Sequence, residues 1–186
     1  MTCEMAHPLQ IGIIAYDGVQ ALDIVGPADA FAAAIISENG RERVRGYKVA
    51  LIGLGSRPIR SESGIVFQPG FTVRDSPEID TLIVPGGVAL RLNPQTQHKV
   101  AQFLREQSKR IRRIAAVCTG VYGIAPSGVL DGRRVTTHWR FASDLATRFP
   151  KLKVDANALY LKDGSFYSSA GITAGIDLSL ALIEED

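Results

Sequence analysis

Short, almost uninterrupted apolar runs alternate along this chain with longer polar stretches of helical spacing. QIGIIAY (10–16) is the first such run, and the Asp-Gly pair that closes it predicts a buried strand followed by a turn. YKVALIGL (47–54), TLIVPG (81–86) and RIAAVC (113–118) repeat the pattern, with Gly, Pro or Cys at or next to their ends, as strands covered on both faces do. Between the last two, PQTQHKVAQFLREQSKR carries apolar residues at Val100, Phe103 and Leu104, the spacing of an amphipathic helix. After the first strand, ALDIVGPADAFAAAIISEN has Ala and Ile at helical spacing. Pro27 lacks an amide hydrogen, so it predicts a helix start at or near itself, with Leu22 to Gly26 as a turn or short helical lead-in.

Shorter pieces at 57–67, 134–136 and 152–168 mix β-branched and aromatic residues with Gly and Lys-Asp-Gly, which predicts small strands or hairpins. GITAGIDLSLALIEED (171–186) predicts a closing helix whose apolar stripe packs on the sheet. Alternation of this kind builds a mostly parallel sheet with helices on both faces, because parallel neighbours need a crossover. Ligands in such folds bind at the carboxyl ends of the strands. That rule selects three places: Tyr16 to Asp23, the Pro-Gly-Gly at 85–87, and the residues after Ala115-Ala116-Val117.

Length and composition narrow the class without changing it. The 186 residues suit one domain, expected over 9–186 after a flexible lead-in at 1–8, and 46% hydrophobic with 22% charged residues is ordinary globular composition. A net charge of +2, from 21 basic and 19 acidic residues, makes no global field for nucleic acid. The basic run SKRIRR (108–113) reads as a solvated helix end before a strand, with a binding patch as the alternative. Two cysteines, Cys3 and Cys118, give neither a disulfide framework nor metal-ligand spacing, so no metal or other cofactor is expected and a reducing cytoplasm suits the chain. The N-terminus has no basic and apolar signal segment, and no apolar run approaches the roughly 20 residues of a membrane span.

Candidate chemistry sits at the three strand ends. In AVCTG, Ala116 and Gly120 flank Cys118 with the small residues that a sharp strand-to-helix turn requires. Such a turn points free helix N–H groups at the sulfur and favours thiolate, although a free cysteine at a strand end is also a plain small hydrophobe. Gly86 and Gly87 free backbone N–H groups to approach a ligand, or they form an ordinary turn. His138 in TTHW could meet the thiol or be a satisfied structural histidine; Arg140, two residues on, stands where an orienting carboxylate would be expected. Asp23 is either an acid/base group near Cys118 or the cap of the following helix.

In this order, IGIIAYDGVQALDIVGPADAF, IDTLIVPGG, AAVCTG, GVLDGRRVTTHW and SSAGITAGIDLSLALIEED resemble the ThiJ/PfpI branch of the class I glutamine amidotransferase-like superfamily, over residues 9–186. The resemblance implies a flavodoxin-like α/β sandwich, a cysteine nucleophile elbow at Cys118, and His138 and Asp23 near it. Glutamine hydrolysis is not expected, because the acid two positions after the histidine is absent. Two subgroups look similar. AraC/XylS-type transcriptional regulators carry this sandwich ahead of a helix-turn-helix domain, and RFPKLKVDANALYLKDGSFYSSAG resembles their pattern. This implies a cytoplasmic, homodimeric, effector-sensing domain whose pocket is Asp23, Gly86, Gly87, Cys118, Thr119 and His138. The effector would be small and polar, amine- or amide-containing, and DNA would be a partner only through a helix-turn-helix domain that 1–186 does not contain. Isonitrile hydratase is the other subgroup, matched by QALD, CTG, TTHW and GITAGID. It implies a hydratase or hydrolase in which Cys118 attacks an electrophilic carbon, Asp23 handles protons, and the N–H groups of Gly87 and Thr119 hold developing charge. An oxidation-sensing thiol at Cys118 is a third reading.

Overall fold

The computed structural model describes residues 8–38 and 42–186, so Cys3 and the lead-in up to His7 lie outside the described residues. The first apolar run is strand β1 (Leu9–Ala15), buried from Ile11 onward. Helix α1 (Ala21–Ala33) starts earlier than the proline suggests and contains Pro27. Ala21, Ile24, Pro27 and Phe31 form its buried face, and that burial outweighs the single backbone hydrogen bond a proline removes. The helix also stops sooner than its composition suggests: Ile35–Glu38 is strand β2, paired antiparallel with β3 (Glu42–Arg45), as the β-branched Ile35-Ile36 pair favours.

Strand β4 (Tyr47–Gly53) follows, then a hairpin of β5 (Ile59–Arg60) and β6 (Val66–Phe67), and the short β7 (Phe71–Thr72). Strand β8 (Thr81–Val84) leads into α2 (Val88–Leu92) and α3 (Pro94–Gln107). Asn93 caps α3, its side chain accepting from Gln95 N at 2.9 Å and Thr96 N at 3.2 Å, with Pro94 at the first helical position. Strand β9 (Arg113–Val117) ends in a tight 3-10 turn, Cys118–Gly120, and the four-residue α4 (Val121–Ile124). The remaining elements are β10 (Arg134–Val135), α5 (Ala142–Arg148), β11 (Lys153–Val154), β12 (Tyr160–Asp163), β13 (Phe166–Ser169) and α6 (Ala174–Glu185).

Seven strands form the central sheet in the order β12-β13-β9-β8-β1-β4-β7, parallel throughout except for the β12–β13 hairpin. The chain moves from β1 to β4 on one side and later to β8 on the other. Right-handed crossovers in opposite directions place their helices on opposite faces. Accordingly α1 packs on α6, where a Cβ added at Gly26 would meet Ile176 Cγ1 at 2.8 Å, and α3 packs on α4. Ile11, Ile13, Ile52, Leu82 and Ile114 fill the core between the layers. Strand order reverses between β1 and β8, so the crevice at their carboxyl ends is where ligand chemistry is expected.

The basic run 108–113 is not simply solvated. Arg113 is buried, donating from Nε to Thr81 Oγ1 and from Nη1 to the Leu182 carbonyl, both at 3.0 Å, and from Nη2 to Asp186 at 2.5 Å. Arg112 forks onto Asp80 at 2.7 and 2.8 Å. These two arginines join the last residue to the sheet rather than offering a patch for nucleic acid.

Candidate functional site

The reversals after β1, β8 and β9 meet at Cys118. Its φ of 57° is left-handed, the strained conformation of a sharp strand-to-helix turn. The small neighbours are required by contact: a Cβ on Gly120 would run into the Val84 carbonyl oxygen, and one on Gly86 would lie 2.7 Å from Thr119 N and 2.8 Å from Asp23 Oδ2. Thr137 Oγ1 donates to the Cys118 carbonyl at 2.7 Å, and Thr136 N donates to Ser168 Oγ at 2.8 Å. These two buried threonines tether the segment that presents His138. A Cβ added at Gly171 would sit 2.8 Å from His138 Cδ2 and 3.5 Å from Cys118 Sγ, so ring and thiol flank the same glycine.

Asp23 is not a cap. Gln20 is the N-cap of α1, and Asp23 lies in the first turn with its side chain wholly buried. Oδ2 accepts from Gly86 N at 2.9 Å, while Oδ1 has no hydrogen-bond partner among the described residues. Burial raises the carboxyl pKa to about 7, against the opposing pull of the Gly86 N–H and the neighbouring Cys118 thiol. Asp23 therefore exchanges its proton near neutrality.

The thiolate expected at the elbow is not what this environment favours. Burial, then the Asp23 charge, pushes the Cys118 thiol up to about 12, although the N–H groups of Thr119 and Ile172 face the sulfur. The N–H groups of the turn that opens the helical stretch after β9 pull the thiol pKa down, but burial and the Asp23 charge outweigh them. Gly87 is likewise not a free donor: its N–H is held by Thr119 Oγ1 at 2.9 Å, and that of Gly86 by Asp23. The N–H groups at the sulfur are thus those of Thr119 and Ile172. Ile172, at a φ of 48°, escaped the sequence reading, since nothing local marks an isoleucine for that conformation.

His138 is close to Cys118 but unsuited to be its base. Nδ1 accepts from the Arg140 backbone N–H at 3.3 Å, which leaves the ring hydrogen of the neutral form on Nε2. In a Cys-His-acid arrangement a carboxylate accepts from Nδ1–H, so the bonding here is reversed. Burial, then the charges of Arg140 and Arg91, lowers the imidazole pKa and keeps it neutral. The ring stacks on Trp139 at 5.7 Å between centroids and lies 5.6 Å from Phe141. Two more partners complete the crevice: Tyr16 OH donates to the Pro85 carbonyl at 2.7 Å, and Glu62 N donates to the Val19 carbonyl at 2.9 Å. Among the described residues no cluster of His, Cys, Asp and Glu could hold a metal ion, and no helix is long and apolar enough to cross a membrane.

The DJ-1/PfpI family model matches residues 10–185. Isonitrile hydratase of Pseudomonas putida is 32% identical over 177 residues, covering 95% of this chain and 72% of that protein. The HTH-type transcriptional regulator GbdR of Pseudomonas aeruginosa is 29% identical over 95% of this chain, which spans 46% of the regulator's length. Among solved structures, a ThiJ/PfpI family protein from Pseudomonas syringae superposes with a TM-score of 0.78 at 26% identity, over 96% of this chain and 69% of that one. An AraC family transcriptional regulator from Pseudomonas putida shares the fold with a TM-score of 0.79 at 18% identity, over 96% of this chain and 92% of that one. With its parallel sheet, its strained cysteine turn and a match along nearly its whole length, the chain belongs to the DJ-1/PfpI family.

Proposed function

We propose that this chain is a small-molecule-sensing and dimerising domain of an AraC-type transcriptional regulator, with Cys118 as the floor of the ligand pocket. One observation carries the reading: Asp23 is buried against a protonated thiol with Oδ1 unpartnered among the described residues, an acceptor placed for a donor that arrives with a ligand. A neutral His138 whose Nε2 holds the hydrogen adds a donor rather than a base. The regulators that align along the chain support the same role, and DNA contact then belongs to a helix-turn-helix domain outside these residues. The domain works in the cytoplasm as a homodimer under this reading.

A hydratase is the second reading, favoured by Asp23 itself, whose pKa of about 7 beside Cys118 suits a proton carrier for addition of water to an isonitrile. Turnover of a panel of small isonitriles separates the two. The sensor reading expects wild type to be no faster than Cys118→Ala, and it expects Cys118→Ser to bind the same ligands as wild type by calorimetry. Sustained hydration by wild type that Cys118→Ala lacks would overturn it.

A further inference from the structure

Phe141, whose ring neighbours that of His138, gathers two guanidinium groups. Arg91, in α2, stands with Cζ 3.7 Å from the ring centroid, and Arg140, from the 3-10 turn Trp139–Phe141, stands with Cζ at 6.0 Å. The two come from different strand ends, after β8 and after β10, so no local sequence signal joins them. Neither guanidinium makes an ion pair among the described residues; Arg91 and Arg140 enter hydrogen bonds only through their backbones. Asp144 on α5 pairs instead with Arg148, whose Nη1 lies at 3.7 Å, and accepts from Tyr122 OH at 2.6 Å. His138 is 5.6 Å from Phe141 and, through Gly171, shares a boundary with Cys118. Asp23 and Glu62 are held by Gly86 N and Val88 N, on the β1 and β8 side of the sulfur.

We infer that the small molecule taken by this site carries an anionic group, a carboxylate or similar oxyanion, which pairs with Arg91 and Arg140 while its other end reaches Cys118. The inference rests on the reading of the Cys118 surroundings as a ligand pocket and names the charge of the ligand. Planar guanidinium groups match a carboxylate fork, and an aromatic ring beneath one of them fixes its plane. A purely cationic amine would meet like charge beside Phe141.

Two alkylating probes differing in one group test it: iodoacetate and iodoacetamide. In each, the Cys118 thiolate forms an S–C bond to the same methylene carbon and iodide leaves, so the ratio of the two rates cancels thiol ionisation. Free cysteine provides the reference ratio, and mass spectrometry of the Cys118 peptide gives the rates. For wild type at low salt the iodoacetate preference is expected to exceed the reference by about tenfold and to shrink as salt is added. The Arg91→Gln, Arg140→Gln double variant should return it to within about twofold of the reference, whereas Arg91→Lys should keep part of it. A wild-type ratio equal to that of free cysteine, with iodoacetamide still entering, would overturn the anion assignment and leave the pocket standing. Failure of both reagents to reach Cys118 would overturn the pocket and the assignment together.

Discussion

Two residues without glycine's freedom hold left-handed backbone beside one sulfur, Cys118 at a φ of 57° and Ile172 at 48°. Such conformations disfavour L-residues by roughly 1–2 kcal/mol each, and a β-branched residue fits them worst. Ile172 is 39% exposed, so little burial is lost on replacing it. Ile172→Asn is therefore expected to raise unfolding free energy by about 1 kcal/mol in urea titrations, because asparagine tolerates this conformation. An unchanged or lowered midpoint would mean that the side chain's contacts outweigh the strain. At the sulfur itself, a pKa of about 12 predicts that iodoacetamide labelling of Cys118 climbs about tenfold per pH unit from 7 to 9 without levelling. Asp23→Asn removes the second-largest cause of that elevation and should speed labelling at any one pH. A plateau near pH 8 would contradict this picture of the thiol. Cys118, Asp23, Gly86, Thr119 and His138 were legible as candidates because strand ends and small residues mark them. Their states were not: thiol, carboxyl and imidazole are set by burial and by partners as distant in sequence as Gly86 from Asp23.

The strands that carry the site were the most readable elements, since largely apolar runs bounded by Gly, Pro or Cys leave few alternatives. The limits of helix α1 are decided by the face it buries: the lead-in at Leu22 to Gly26 is helical and continuous through Pro27, and the helix stops before Ile35 despite the Ala and Ile that follow. The roles of Thr136, Thr137 and Ile172 were not legible, because they act through contacts with Ser168, the Cys118 carbonyl and Sγ. Close approach between β8 and the turn after β9 is what makes the crevice narrow. Gly120 faces the Val84 carbonyl, with no room for a methyl group. Gly120→Ala is expected to lose about 3 kcal/mol or more, since backbone rather than a flexible side chain opposes the added carbon. Ala substitution at Gly128 meets no atom, yet its φ of 83° still makes it strained, so it should lose about 1 kcal/mol. Chemical denaturation of the pair would show whether crowding at the crevice exceeds simple backbone strain.

For the molecule as a whole, Asp23 sets a pH dependence opposite to that of most carboxylates. Its folded pKa of about 7 lies above the ordinary 3.8, so the folded state holds a proton that the unfolded chain releases. That stabilisation is complete below about pH 4 and is lost as pH rises through about 7, a change of up to about 4 kcal/mol. His138, with its lowered pKa, pulls the other way. Wild type is therefore expected to melt at a lower temperature at pH 8 than at pH 5.5, with Asp23→Asn flattening the difference in scanning calorimetry. Equal slopes in the two proteins would remove Asp23 as the cause. The unpartnered Oδ1 carries one more consequence. A ligand that gives it a hydrogen-bond donor favours the carboxylate, so near neutrality binding expels a proton into solution. The heat of binding then depends on the buffer that receives that proton, and is more exothermic in Tris than in phosphate, even for a ligand that does not titrate.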